Sequence, residues 1–263
     1  MELDYLLSET IKITKKAGEF IASERKNFDF SKIEYKGQND LVSYVDKHAE
    51  ELLVENLLRL LPESGFIAEE GTGQKKDINW VIDPLDGTTN FMHGLPPYSV
   101  SVALMDGDDI LLGVIYEITS DECFYAHKHG KAYCDEEPIR VSDVQDFKDG
   151  LYITGYPYRD FSKMDNFFKI MYHFLAHSHG LRRLGSAAAD LAYVASGRCE
   201  GFFEFFLSPW DVAAGSLIVQ RAGGIVSDFK GGDNFIYGKE VIAGTLVQPE
   251  MLKIINNYWY PSN

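Results

Sequence analysis

Trp80-Val-Ile-Asp-Pro-Leu-Asp-Gly-Thr-Thr-Asn90 is the stretch on which the reading of this chain turns. The apolar run Trp80-Val-Ile has strand character and leads directly into Asp83. Pro84 has no N–H to give to a ladder, so the strand is expected to end at Asp83. Both Asp83 and Asp86 would then stand at a strand end, where ligands of α/β proteins commonly bind. Gly87-Thr-Thr-Asn90 follows at once, and a glycine with hydroxyl residues and free backbone N–H groups suits an anion. Cation ligands and anion donors thus lie side by side in one motif. Asp-Pro and Asp-Gly are also ordinary turn signals, so this motif alone leaves a plain turn open.

Two other acids have a similar setting. Glu69-Glu-Gly71 follows the apolar Phe66-Ile-Ala68, and Asp211 follows Ser208-Pro-Trp210 at the start of a small-residue helix. If Glu69, Asp83, Asp86 and Asp211 converge, repulsion and desolvation raise their pKa values unless cations neutralise them. A donor set made only of oxygen favours Mg²⁺ or Mn²⁺ over zinc. No Walker A loop, G-x-S-x-G elbow, H-E-x-x-H helix or G-x-G-x-x-G fingerprint occurs.

Working outward, apolar residues at helical spacing predict an amphipathic helix over 3–21 and a second over 44–61, capped by Ser43 and stopped by Pro62. The polar stretch Lys36-Gly-Gln-Asn-Asp40 between them reads as a mobile loop. Short apolar runs at 80–83, 99–105, 110–116 and 123–127 read as strands paired antiparallel through hairpins. After Gly150 strands at 151–154, 201–206, 225–228 and 241–243 alternate with helices at 165–176, 186–195 and 211–222. No repeat or linker interrupts the chain, and two tightly packed lobes, 1–150 and 151–263, are expected to form one structural unit.

At 263 residues and 45% apolar composition the chain can build a substantial core. Forty acidic against 25 basic residues give a net charge of −15, which opposes attraction to nucleic acid and anionic membranes. Cys123, Cys134 and Cys199 are too few and scattered for a disulfide framework, and no C-x-x-C pair occurs. Neither a signal peptide nor a membrane-length apolar run is visible, so a cytoplasmic protein is expected.

The motif 80–91, together with Trp210-Asp-Val-Ala-Ala-Gly215, Ala222-Gly-Gly224 and Ala68-Glu-Glu-Gly71, resembles the signatures of the inositol monophosphatase family. Order and spacing agree over nearly the whole chain. The resemblance implies a layered αβαβα sandwich, usually homodimeric, that requires Mg²⁺ and is inhibited by lithium. It implies two or three metal ions per subunit. Glu69, Asp83, the Leu85 carbonyl and Thr88 would surround the first, Asp83, Asp86 and Asp211 the second, and Glu69 would reach a weaker third through water.

By the same resemblance the Gly87 and Thr88 amides bind phosphate, and Glu69 and Thr88 orient the water that attacks phosphorus directly. Asp46 bonds the catalytic Thr88, and Lys36 and Asp40 lie in a loop that helps close the metal site. Asp86, Gly185, Ala187, Glu204 and Asp211 contact the inositol ring. A buried Glu204 would suit a polyol, which offers several donors, but its place between Phe203 and Phe205 leaves an exposed strand position equally open. Arg182 and Arg183 could flank the pocket or pair with surface acids. His93 is expected to be structural. The implied activity is hydrolysis of inositol 1-phosphate. Fructose 1,6-bisphosphate, 3′-phosphoadenosine 5′-phosphate and histidinol phosphate are the substrates of similar phosphatases, and a catalytically silent metal- or phosphate-binding protein is the remaining alternative.

Overall fold

The first helix, α1 (Leu3–Arg25), buries Leu6, Leu7, Ala17 and Ile21 along one face. Thr10 and Thr14 share that face because their hydroxyls donate to the carbonyls of Leu6 (2.7 Å) and Thr10 (2.8 Å), leaving no unmet donor. This computed structural model describes residues 2–28, 33–37, 40–156 and 161–261. The chain continues through the hairpin β1 (Ile33–Gly37) and β2 (Asp40–Ser43) into α2 (Tyr44–Leu60). Lys36 and Asp40, expected in an irregular loop, have their backbones in the two paired strands of this hairpin, and their side chains lie outside the described residues.

Seven strands form the larger sheet: β3 (Gly65–Ala68), β4 (Ile78–Asp86), β5 (Ser99–Asp106), β6 (Asp109–Glu117), β7 (Glu122–His127), β8 (Tyr133–Cys134) and β9 (Glu137–Pro138), in that spatial order. From β4 onward the neighbours are antiparallel, as the hairpin spacing predicts, while β3 joins β4 in parallel. The expectation that β4 ends at Asp83 is corrected. Pairing with β5 holds at Asp83↔Ser101, slips, and resumes at Asp86↔Ser99. Pro84 occupies the slip, where no ladder donor is needed, so the strand absorbs it as an irregularity. A single-turn helix, α3 (Thr88–His93), follows directly.

The smaller sheet has five strands in the order β11 (Gly180–Arg182), β10 (Leu151–Thr154), β12 (Gly201–Phe205), β14 (Glu240–Gly244), β13 (Ile225–Ser227). Between them run α4 (Met164–His177), α5 (Ala187–Ala195) and α6 (Pro209–Arg221), and α7 (Gln248–Trp259) closes the described chain. The sequence reading overlooked α7, although Pro249 in its first turn and Met251, Ile254, Ile255 and Trp259 at helical spacing carry its signal.

Three apolar cores separate five layers. One joins α1 and α2 to the larger sheet, a second encloses α5 and α6 between the two sheets, and a third lies under α4 and α7. The expected αβαβα sandwich is therefore the architecture. Because β12 is covered on both faces, Phe202 packs into the middle core and Phe203 and Phe205 into the outer one. No helix among the described residues is long and apolar enough to cross a membrane.

Candidate active site

The ends of β3 and β4 and the first turns of α3, α5 and α6 meet around one cavity of about 260 Å³. Glu69 stands one residue beyond β3, Asp83 and Asp86 come from the slipped end of β4, and Asp211 sits in the first turn of α6. All four line the cavity. Carboxylate oxygens of Asp83, Asp86 and Asp211 lie within 4.8 Å of one another.

Each of these three acids is held by named donors. The Leu85 N–H donates to Asp83 Oδ1 (3.0 Å). Asp86 Oδ2 accepts from Ser186 Oγ (2.6 Å) and from the Ala188 N–H (2.7 Å) in the first turn of α5. Asp211 Oδ2 accepts from the Ser208 N–H (2.6 Å) at the start of α6. These contacts fix the carboxylates before any ligand binds.

The electrostatics are unfavourable without a cation. Burial pushes Asp83 well above the usual carboxylate range, and Glu69, Asp86 and Asp211 add to it. Burial also raises Asp86, against the hydrogen bond from Ser186, and lifts Asp211 to about 8 with help from the Asp86 charge. Asp83 stands close enough to Glu69 and Asp211 that the three carboxyl groups titrate together rather than singly. Three oxygen donors at this spacing, short of positive charge, fit a divalent cation: the cluster Asp83, Asp86 and Asp211 can hold one.

Beside the acids, Thr88 Oγ1 reaches both Asp46 Oδ1 and the Leu85 carbonyl oxygen at 3.0 Å. Asp46 is buried in the first turn of α2, where its Oδ2 accepts from the N–H (2.8 Å) and the hydroxyl (2.6 Å) of Ser43. Burial raises the Asp46 carboxyl, and the Ser43 and Thr88 contacts oppose that rise. One turn further along α2, the buried Glu50 accepts from the Glu70 (2.8 Å) and Thr72 (2.9 Å) amides and so pins the turn that carries Glu69. Gly87 has φ +90°, and a Cβ there would press on the carbonyl oxygens of Gly185 and Pro97, each 3.1 Å away. Only glycine suits both the left-handed backbone and this close approach.

The rest of the cavity wall includes Gly155, Arg183, Gly185, Ala187, Asp190 and Glu204. Glu204 is buried, which decides between the two readings of its strand: with both faces of β12 covered, alternation exposes nothing. Burial, reinforced by the Asp86 charge, lifts its carboxyl to about 8. Arg183 is an exposed lining residue with its guanidinium 5.8 Å from the Tyr156 ring centroid, while Arg182 is exposed and outside the cavity wall. His93 is exposed at the end of α3 and is not among the lining residues. Sequence reading overlooked Glu50, Gly155 and Asp190. For Asp190 a signal existed, a single acid inside the apolar helix Ala187-Ala-Ala-Asp-Leu-Ala192.

A layered α/β sandwich with a carboxylate cluster that can hold a cation, at the junction of strand ends and helix starts, is consistent with a metal-dependent phosphatase. The sequence profile described as the inositol monophosphatase family matches residues 2–260, and the chain belongs to that family. It is 40% identical to the putative Nus factor SuhB of Neisseria meningitidis serogroup B, over 95% of this chain and 97% of that relative. It is 37% identical to the inositol-1-monophosphatase of Mesorhizobium japonicum, over 95% of this chain and 96% of that one. Among solved structures, the Thermotoga maritima IMPase superposes with a TM-score of 0.89 at 34% identity, covering 97% of this chain and 98% of that one.

Proposed function

We propose that the chain is a Mg²⁺-dependent phosphatase that hydrolyses inositol 1-phosphate, and related polyol or sugar monophosphates, to the free polyol and phosphate. The observation that carries the reading is the arrangement of Glu69, Asp83, Asp86 and Asp211 beside the Thr88–Asp46 pair in one cavity. Glu69, Asp83, Asp86, Asp211, the Leu85 carbonyl and Thr88 would hold two or three Mg²⁺ ions, which would supply positive charge to the attacking water and the leaving oxygen. Thr88 shares its hydroxyl hydrogen between Asp46 and the Leu85 carbonyl, which leaves its oxygen lone pairs to accept a hydrogen bond from the water and orient it. Glu69 is the general base beside it. Water forms the new P–O bond as the P–O bond to the polyol breaks, and the amides of Gly87 and Thr88 hold the phosphate oxygens.

Ring contacts come from Asp86, Gly185, Ala187, Glu204 and Asp211. Lys36 and Asp40 act from the β1–β2 hairpin on the metal side. The lobes 1–150 and 151–263 work as one unit, a reading supported by the core that α5 and α6 share with both sheets. The enzyme is cytoplasmic, sensitive to lithium and homodimeric. Exposed Phe168, Tyr172 and Leu175, at i, i+4 and i+7 on α4, support an apolar contact between two copies. Several relatives at about 37–40% identity are named Nus factor SuhB. A role of that kind in this chain would be indifferent to Asp211→Asn.

The test is phosphate release, with Mg²⁺ and with excess chelator, from inositol 1-phosphate, fructose 1,6-bisphosphate, 3′-phosphoadenosine 5′-phosphate and histidinol phosphate. Inositol 1-phosphate is expected to be turned over fastest, and chelator to abolish all release. Much faster turnover of the adenosine bisphosphate would overturn the substrate assignment, and activity in chelator would overturn the metal dependence.

A further inference from the structure

The cavity wall holds an acid that the chemistry above does not use. Asp190 lies in α5 among Ala187, Ala188, Ala189, Leu191 and Ala192, is 1% exposed, and lines the cavity. Its Oδ1 is buried with no hydrogen-bond partner among the described residues. Asp86 makes the contrast plain, because the first turn of the same helix satisfies it with Ser186 Oγ and the Ala188 N–H. A carboxyl buried on an apolar helix is retained at a cost unless something pairs with it, and a leucine in its place would pack at less cost.

What pairs with it is constrained by its neighbours. Glu204, a second buried carboxyl, shares that wall, and its carboxyl rests directly on Gly155, where any Cβ would collide with it. Two carboxyl groups side by side match a ligand that offers several hydroxyls. A hydrocarbon ring would leave both unpaired.

We infer that Asp190 is a further specificity-determining residue of this site, its carboxyl accepting one hydroxyl of the polyol while Glu204, seated on Gly155, accepts another. The substrate class narrows accordingly to monophosphates whose leaving group presents at least two hydroxyls. This inference rests on the phosphatase reading and deepens it.

The experiment compares inositol 1-phosphate with cyclohexyl phosphate, the same ring without its hydroxyls, in the full-length Mg²⁺-loaded protein. Wild type should favour the inositol ester in kcat/KM. Asp190→Leu is expected to lower that preference by about 10-fold, through a higher KM for inositol 1-phosphate, while kcat/KM for cyclohexyl phosphate holds or rises. Asp190→Ala, read on the same pair, should move the ratio in the same direction and serves if the leucine variant does not fold. An unchanged ratio in the folded variants, whether both esters suffer equally or neither does, would overturn the assignment of Asp190 and leave the phosphatase reading standing. Release of phosphate from neither ester by wild type would overturn both.

Discussion

Two parts of the cavity wall are built from the same functional group and treat it differently. In the metal cluster, Asp83, Asp86 and Asp211 are each tied down by backbone or side-chain donors from Leu85, Ser186, Ala188 and Ser208. Outside that cluster Asp190 has an oxygen with no partner, and no hydrogen bond from a described residue reaches either its side chain or that of Glu204. Under the proposed function the difference separates two tasks. Cation coordination needs oxygens fixed in advance, because a ligand set that must be assembled loses affinity to ordering. Recognition of a polyol needs oxygens whose bonding capacity is still free, because the hydroxyls themselves complete it.

That contrast can be broken by substitution. Asp211→Asn keeps an acceptor for the Ser208 N–H but removes the charge. Turnover of inositol 1-phosphate should fall about 10³-fold or more with the circular dichroism spectrum unchanged, and near-wild-type turnover would remove Asp211 from the metal set. Asp46→Asn disturbs the Thr88 hydroxyl while leaving the carboxylates Glu69, Asp83, Asp86 and Asp211 in place. A loss of roughly 10²-fold in kcat at constant KM is the expected result, measured under saturating Mg²⁺. Outside the metal cluster Gly155→Ala displaces the Glu204 carboxyl, and should raise KM for inositol 1-phosphate by about 10-fold while kcat stays within a few-fold.

The smallest effect concerns stability without metal. Glu204 has a folded pKa of about 8, above its ordinary value of 4.5, so between those limits the native state holds a proton that the unfolded chain releases. Stability therefore falls as pH rises through that window and levels off above it. Removing the titrating group with Glu204→Gln should flatten part of this slope and stabilise the metal-free protein by roughly 1 kcal/mol at pH 8, with little change at pH 4 to 5. Urea melts in chelator at both pH values measure it, and a variant less stable than wild type at pH 8 would contradict the sign.

How much of this was legible in the sequence follows the same division. Asp83 and Asp86 stand out because Pro84 and Gly87 punctuate the strand around them, and Asp211 because a serine and a proline announce the helix it opens. Local chemistry marks such positions. It misplaced the end of β4, since a β-sheet can take up one proline by slipping its register, which no single strand reveals. Asp46 needed the family resemblance: an acid in a helix's first turn is commonplace, and its partner Thr88 lies 42 residues away. Glu204 stayed ambiguous because the strand's own alternation says nothing about a second covering layer. Gly155 escaped notice, for its meaning lies in a carboxyl brought to it by another strand. Of the helices, α7 carries its own legible signal, with Met251, Ile254, Ile255 and Trp259 at helical spacing.

Asp46 and Asp211 occupy the same station, the third residue of a helix, and each accepts the N–H of the serine that precedes that helix, at Ser43 and Ser208. The acids that start α2 and α6 are thus also acids of the cavity. A mutation drift that weakened either helix start would erase chemistry at once, and one that erased the chemistry would fray a helix. Such positions leave a descendant of this chain few intermediate steps, so loss of activity in this fold is expected to begin at Asp190 and Glu204, whose carboxyls start no helix.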